Sequence, residues 1–251
     1  PDTVGPVHYS QALPEVERAF RRSGAEHLVV FHPDGRQLGR VAGSDLAVHV
    51  PDWLMEHSRT LGKSRHLGPG VTITHHHPQE GGPLTPQDIA AAHAMLAHEV
   101  RATTEQEGTY AVRAPVGGHG ELLRRTFWPK NFHQTAAAYR DVLESAYYDA
   151  VTRARQEYKR QAASASAHER VMHEANLERM SREGLASMLH TGDSRRVWAT
   201  GASNPLWRRI LNEHVARAYN ETGRRAGGWT YHVEPHVDDA PGIERPYLDL
   251  D

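Results

Sequence analysis

The 251-residue sequence has no cysteine, which excludes disulfide bonds, thiolate metal sites and a cysteine nucleophile. It has no run approaching the ~18 consecutive apolar residues of a membrane-spanning helix, so we expect no membrane segment. Neither sign of charge is in excess, because 29 lysines and arginines stand against 31 aspartates and glutamates. The composition therefore gives no overall electrostatic reason to expect a nucleic-acid-binding protein, although a local basic patch stays open.

What the sequence has in quantity is histidine, with 19 residues. Since cysteine is absent, any transition-metal site must use histidine and carboxylate ligands. Hydrophobic residues make up 38% and charged residues 24%, a balance that predicts a folded rather than a disordered chain. The start of the sequence shows no signal-peptide pattern, so we expect a cytoplasmic protein. The first residue, Pro1, also fits a domain released from a longer carrier and delivered as a secreted effector.

Short strands alternate with short helices in the first half of the chain, which indicates an α/β or α+β fold. Runs rich in valine, isoleucine and threonine predict the strands, and Gly or Pro residues mark the turns between them. The predicted strands are 26–31, 38–41, 71–74, 100–103 and 109–113, and the predicted helices are 14–22, 51–61 and 85–98.

The second half reads as mostly helix, because apolar residues recur there at steps of three and four. Long helices are predicted after Pro129, from His168 to about Leu189, and over 205–219. The last stretch contains three prolines and six acidic residues and is predicted to be irregular. We therefore divide the chain into a catalytic domain (1–118), a helical domain (119–228) that sets substrate choice or association, and an acidic irregular tail (229–251).

The stretch from Thr74 to Ile89 carries the chemistry. His75 and His77 lie two residues apart at the end of a predicted strand, so both imidazoles leave on the same face and His76 on the other. Asp88 lies eleven residues after His77, at the start of a predicted helix. Two histidines and one carboxylate form a three-ligand set that leaves a fourth position for water, the open arrangement of catalytic zinc.

The same residues resemble the signature of the JAB/MPN (JAMM) zinc metalloprotease family. That signature reads His-x-His-Pro, six residues, Ser or Thr, two residues, Asp, and it is matched here by His75, His77, Pro78, Thr85 and Asp88. The sequence around this motif is most similar to that of the RadC-like branch of the family. The resemblance covers roughly residues 20–115, and it implies a mixed sheet flanked by helices, followed here by a mostly α-helical C-terminal extension.

The resemblance also implies roles for single residues. His75, His77 and Asp88 would bind Zn²⁺. Glu26, placed before an apolar strand as in the RadC-like branch, would hold the attacking water and move its proton as general base and acid. Thr85, standing where the family usually has Ser, would donate its hydroxyl to the developing oxyanion.

One further departure from the family pattern is His76, which stands where Asn or Ser is common. Its extra nitrogen is expected to be available for a substrate or a second ion.

Taken together, the motif and the resemblance predict a zinc-dependent hydrolase, a metallopeptidase or isopeptidase in which activated water attacks an amide carbonyl of a protein or peptide. They also suggest a bacterial source and a toxin or phage-associated effector. Two alternatives stay open: a nuclease or other hydrolase using the same metal site, and a non-enzymatic assembly module. A partner protein could bind through the C-terminal helices, and nucleic acid is not favoured as a partner.

Overall fold

The computed structural model describes residues 9–23, 25–43, 48–63, 70–77, 82–105, 108–114, 132–182, 204–226 and 229–234. Their helices are α1 (Tyr9–Phe20), α2 (Asp52–Lys63), α3 (Pro86–Ala94), α4 (Phe132–Ala163), α5 (Ala167–Arg182) and α6 (Pro205–Ala226). Their strands are β1 (His27–Phe31), β2 (Gln37–Ala42), β3 (Thr72–His77), β4 (Glu99–Thr104), β5 (Thr109–Arg113) and β6 (Thr230–Glu234). None of the helices in these ranges is long and apolar enough to cross a membrane.

The strands form one mixed sheet in the order β2-β1-β3-β4-β5-β6. β1 and β2 form an antiparallel hairpin whose turn contains Gly35 at a φ of 93°, a conformation that favours glycine. β3 pairs antiparallel with β1 and parallel with β4, and β5 and β6 continue antiparallel. The prediction of a mixed α/β fold is therefore confirmed.

Side chains leave the sheet alternately on two faces, as strand geometry requires. One face of the sheet is lined by Leu28, Ile73, Val100 and Tyr110. These side chains share one buried core cluster with residues of α2, α3, α4 and α6. The opposite face, here called the α1 face, carries Val29 and Phe31, which pack against Leu13 and Phe20 of α1. The sheet is thus covered by helices on both sides.

Charged residues are buried on the α1 face. The guanidinium of Arg101 on β4 pairs with Glu17 at 2.7 Å, Glu99 at 2.8 Å and Glu234 at 2.7 Å, and Arg113 bridges the last two carboxylates. Burial alone would lower the pKa of Arg101, but these acidic partners raise it. The network ties α1 and β6 to the centre of the sheet, because Glu17 of α1 and Glu234 of β6 both pair with Arg101 on β4.

The C-terminal helices share their core with the sheet. One cluster of buried side chains includes Val100 and Tyr110 of the sheet together with Tyr147 of α4, Trp207 of α6 and Tyr231 of β6. The division into a domain over 1–118 and a separate helical domain over 119–228 does not describe this packing. In the described residues, the apolar stripes of α4 and α6 are buried against the first half of the chain.

Residues Thr230–Glu234 form an edge strand paired with β5 in the register Val112↔Tyr231 and Tyr110↔Val233. The prediction of an irregular tail over 229–251 is therefore wrong for these residues. The prolines and most of the acidic residues of this stretch lie at or after Pro235. The average composition of 229–251 therefore gave no sign of the five-residue strand that precedes Pro235. Residues 235–251 lie outside the described ranges.

Element ends differ from the predictions by a few residues. β3 continues through His77, three residues beyond the predicted strand, and α3 ends at Ala94 rather than near residue 98. α1 begins at Tyr9, so Pro14 lies inside it rather than in its first turn. The second C-terminal helix is described to Arg182, and the remainder of its predicted span lies outside the described residues.

Candidate metal centre

The two histidines of the motif lie in the middle of the sheet. β3 lies between β1 and β4, where His75 is paired with Leu28 on one side and Ala102 on the other. His75 is 3% and His77 5% exposed, so both imidazoles are sheltered from bulk water. Their Nε2 atoms are 3.0 Å apart, which confirms the prediction that both rings leave on one face.

The carboxylate of Asp88 completes a three-residue group. His75 Nε2 is 3.5 Å from Asp88 Oδ1, and His77 Nε2 is 3.4 Å from Asp88 Oδ2. Zinc bonds of about 2.0–2.1 Å at tetrahedral angles would place neighbouring ligand atoms about 3.3 Å apart. The three separations fall around that value, although the two histidines face different carboxylate oxygens. Among the described residues, this is the group whose potential ligand atoms all lie within 4.8 Å of one another.

Local sequence places the carboxylate. Thr85 is the N-cap of α3 and Asp88 is its N3 residue, and together they form a capping box. The Thr85 hydroxyl accepts a hydrogen bond from the Asp88 backbone N–H at 3.2 Å and donates to Asp88 Oδ2 at 2.7 Å. The Thr85 backbone N–H also donates to Oδ2, at 2.8 Å. The pattern Thr-Pro-Gln-Asp thus caps the helix and fixes a metal-ligand candidate with the same residues.

The charge states suit a cation. Burial would raise the pKa of Asp88, but the charge and hydrogen bonds of His75 and His77 hold it well below its usual range, so the carboxylate is ionised. His77 Nδ1 lies 3.1 Å from the Gly82 carbonyl oxygen. Since a carbonyl can only accept, this contact assigns the proton to Nδ1 and leaves the Nε2 lone pair for a metal.

Glu26 lies on the same face as the metal group. β1 and β3 are antiparallel with Leu28 opposite His75, so continuing the register by two residues places Glu26 opposite His77. Residues directly opposite in such a pair point to the same side of the sheet. Glu26 is 1% exposed and does not belong to the three-residue group, so it is not a fourth ligand of that group in the structure.

His76 faces away from the metal group. It is fully buried on the α1 face, with Nδ1 3.4 Å from the Ala25 carbonyl oxygen and its ring stacked on Phe20. Burial lowers its pKa to about 4, so the ring is neutral. The prediction that His76 leaves on the opposite face from His75 and His77 is confirmed. Its complete burial there does not leave its nitrogen open to a substrate from solution, and His76 is not part of the three-residue group.

Sequence reasoning missed Tyr219 of α6, whose hydroxyl donates to the Leu84 carbonyl oxygen at 3.3 Å, next to Thr85. Tyr219 is fully buried, and burial raises its pKa well above the usual value, so the phenol stays a donor. Helical periodicity marks Tyr219 as a core residue. Nothing in the sequence indicates which loop its hydroxyl reaches, because the two residues are 135 positions apart.

Comparisons of the chain with protein-family models, with curated proteins and with solved structures found no match. The resemblance to the JAB/MPN family therefore rests on the His75–Asp88 motif and on its local context of strand, loop and helix.

Proposed function

We propose that this protein is a zinc-dependent hydrolase whose metal is held by His75, His77 and Asp88. The observation that carries the proposal is the close approach of the two Nε2 atoms and the Asp88 carboxylate, with separations of 3.0–3.5 Å, close to those of a tetrahedral zinc site. Two imidazole nitrogens and one carboxylate favour zinc over magnesium or calcium, which prefer oxygen ligands. Three protein ligands leave a coordination position open, as catalytic rather than structural zinc sites do.

The chain's own residues supply the remaining functions of a hydrolase. Bound zinc would act as a Lewis acid and lower the pKa of a water molecule toward ~7. Glu26, on the same face of the sheet, would take the proton from the attacking water and pass it to the leaving group. Thr85 holds the Asp88 carboxylate with both its hydroxyl and its backbone N–H. Its hydroxyl would have to turn away from Asp88 to act as an oxyanion donor, so its first role is to position the ligand.

The proposed substrate is an amide bond in a protein or peptide. The residues that would cut it belong to a domain that resembles the RadC-like branch of the JAB/MPN family. This part of the proposal is supported by the resemblance of the motif. The same resemblance supports a bacterial toxin or phage-associated protein that is cytoplasmic or delivered as a secreted effector. The alternatives make different predictions, since a nuclease would cut nucleic acid with the same metal and an assembly module would not need one.

The first experiment measures metal. The protein is purified without an affinity tag or added metal, and zinc is determined by elemental analysis and by titration. We expect about one zinc per chain, lost in His77→Ala because a three-ligand site needs each ligand. His57→Ala is the matched control, since His57 is exposed on α2 and should leave the zinc content unchanged. A wild-type protein that neither contains nor takes up zinc would contradict the proposal.

The second experiment identifies the bond that is cut. Zinc-loaded protein is incubated with a proteome-derived peptide library, with isopeptide-linked peptides and, separately, with DNA and RNA. New peptide termini that disappear in His77→Ala would support the proposed activity. Cleavage of nucleic acid alone would replace it with the nuclease alternative, and zinc binding without any cleavage would favour the assembly module.

A further inference from the structure

Helix α6 reaches the turn that carries the Asp88 carboxylate. The hydroxyl of Tyr219 donates to the carbonyl oxygen of Leu84, and the N–H of the same peptide unit, that of Thr85, donates to Asp88 Oδ2. A peptide unit is planar and rigid, so holding its oxygen fixes the direction of its N–H. One peptide plane is therefore held at one end by α6 and at the other end by the candidate ligand.

The Tyr219 ring has little freedom to move. Its centroid is 6.3 Å from that of Tyr147 on α4 and 5.4 Å from that of Tyr231 on β6. The side chain is 0% exposed. Contacts with these two rings and complete burial restrict the Tyr219 ring, so its hydroxyl is held near the Leu84 carbonyl oxygen.

The helix behind Tyr219 is itself attached to the sheet. The side-chain amide of Asn220 donates to the Tyr231 carbonyl oxygen at 3.1 Å and accepts from the Tyr231 N–H at 2.7 Å. One turn further on, a methyl group at Gly223 would overlap the Trp229 carbonyl oxygen, so α6 and the chain entering β6 approach as closely as glycine permits. A continuous set of contacts thus connects β6, through α6, to the turn at Leu84.

We propose that Tyr219 is a positioning residue of the metal centre, which makes α6 a structural part of the zinc site rather than a separate substrate or partner module. The inference rests on the proposed zinc site. It adds that zinc affinity would also depend on Tyr219, a residue outside the motif. Tyr219 acts through the Leu84–Thr85 peptide and does not contact the metal ligands itself in the hydrogen bonds described above.

The test compares two buried tyrosines of the same helical layer. Tyr219→Phe removes the hydroxyl that reaches Leu84 and keeps the ring. Tyr158→Phe is the matched control, because the Tyr158 hydroxyl bonds to His173, Asn176 and Asn204, which belong to α5 and the residue before α6. Zinc affinity is measured by competition with a chromophoric chelator, and thermal unfolding is followed in parallel.

We expect Tyr219→Phe to weaken zinc binding about 10-fold, as expected for outer partners of metal ligands. Tyr158→Phe should lower the melting temperature but keep the wild-type zinc affinity. Hydrogen exchange of residues 84–94, measured without zinc and compared with β4, should be faster in Tyr219→Phe but not in Tyr158→Phe, because only the former releases the turn.

The outcomes separate this inference from the proposed function. If wild-type protein binds zinc and Tyr219→Phe binds it equally well, the inference is overturned and the zinc site stands. If both tyrosine variants lose affinity to the same extent, the effect is general destabilisation and the inference is again overturned. If wild-type protein binds no zinc, the proposed function fails, and the exchange comparison alone decides whether Tyr219 holds the turn.

Discussion

Replacing Thr85 by alanine separates two roles of one hydroxyl. In the structure the hydroxyl caps α3 and donates to the Asp88 carboxylate, whereas the family resemblance assigns it to the oxyanion. Thr85→Ala removes both hydrogen bonds of the hydroxyl but keeps the backbone N–H that also donates to Asp88. Thr85→Ser is the matched control, because it keeps the hydroxyl and removes only a methyl group.

The structure sets the size of the effect. Loss of a threonine N-cap costs about 0.5–2 kcal/mol, and here the same hydroxyl also serves a largely buried carboxylate, for which a hydrogen bond is worth about 1.5–3 kcal/mol. The retained N–H covers part of that loss, so we expect the free energy of unfolding to fall by about 1–2 kcal/mol. Zinc affinity should fall by about 10-fold, because Asp88 loses one of the two hydrogen bonds that it receives from Thr85.

Urea unfolding in the presence of a chelator measures the free energy of unfolding without a contribution from metal. Competition with a chromophoric chelator measures the zinc affinity. Activity at saturating zinc then tests the oxyanion role, since loss of one oxyanion donor costs about 10²–10³-fold in kcat. Thr85→Ala with wild-type stability and zinc affinity would refute the positioning argument. If activity alone were lost in that variant, the hydroxyl would serve the oxyanion.

Two further variants test the rest of the site and its surroundings. Glu26→Gln should keep zinc and the fold but lower activity by about 10²–10⁴-fold, the usual worth of a general base; a fully active variant would move the role to another carboxylate. A protein ending at Ala114 should be insoluble or unfolded, as judged by circular dichroism, because it lacks β6 and exposes the apolar side chains that α4 and α6 cover. Each large side chain left unburied costs about 1.5–3 kcal/mol against a net stability of about 5–15 kcal/mol. A soluble, zinc-binding fragment would show that the helices are dispensable.

The parts of the site that were predictable from sequence are those set by short-range geometry. Strand alternation placed His75 and His77 on one face, and the capping pattern of Thr85 and Asp88 placed the carboxylate at the start of a helix. Both rules act within a few residues and need no knowledge of the tertiary fold. The same alternation places His76 on the opposite face, as predicted, where it is buried against Phe20 of α1.

The parts that were not predictable depend on pairings between distant residues. β6 is five residues long and is stabilised by pairing with β5, more than a hundred positions earlier. Tyr219 carries only a core signal in the sequence, because a buried tyrosine at helical spacing looks the same whether its hydroxyl reaches water, a helix or a ligand-bearing turn. The unity of the core was missed for the same reason. Amphipathic helices show that an apolar face must be buried but not against what.

Sharing Asp88 between a helix cap and a metal site has an energetic consequence. The hydrogen bonds of the cap join protein atoms alone, so they would orient the carboxylate before zinc binds and would reduce the ordering required on binding. By linkage, zinc should stabilise the folded chain by mass action, and any change that loosens the cap should weaken zinc binding by the same coupling free energy. Since the Tyr219 hydroxyl joins α6 to that cap through the Leu84 carbonyl oxygen, the strength of this contact and the affinity of the metal centre are expected to change together.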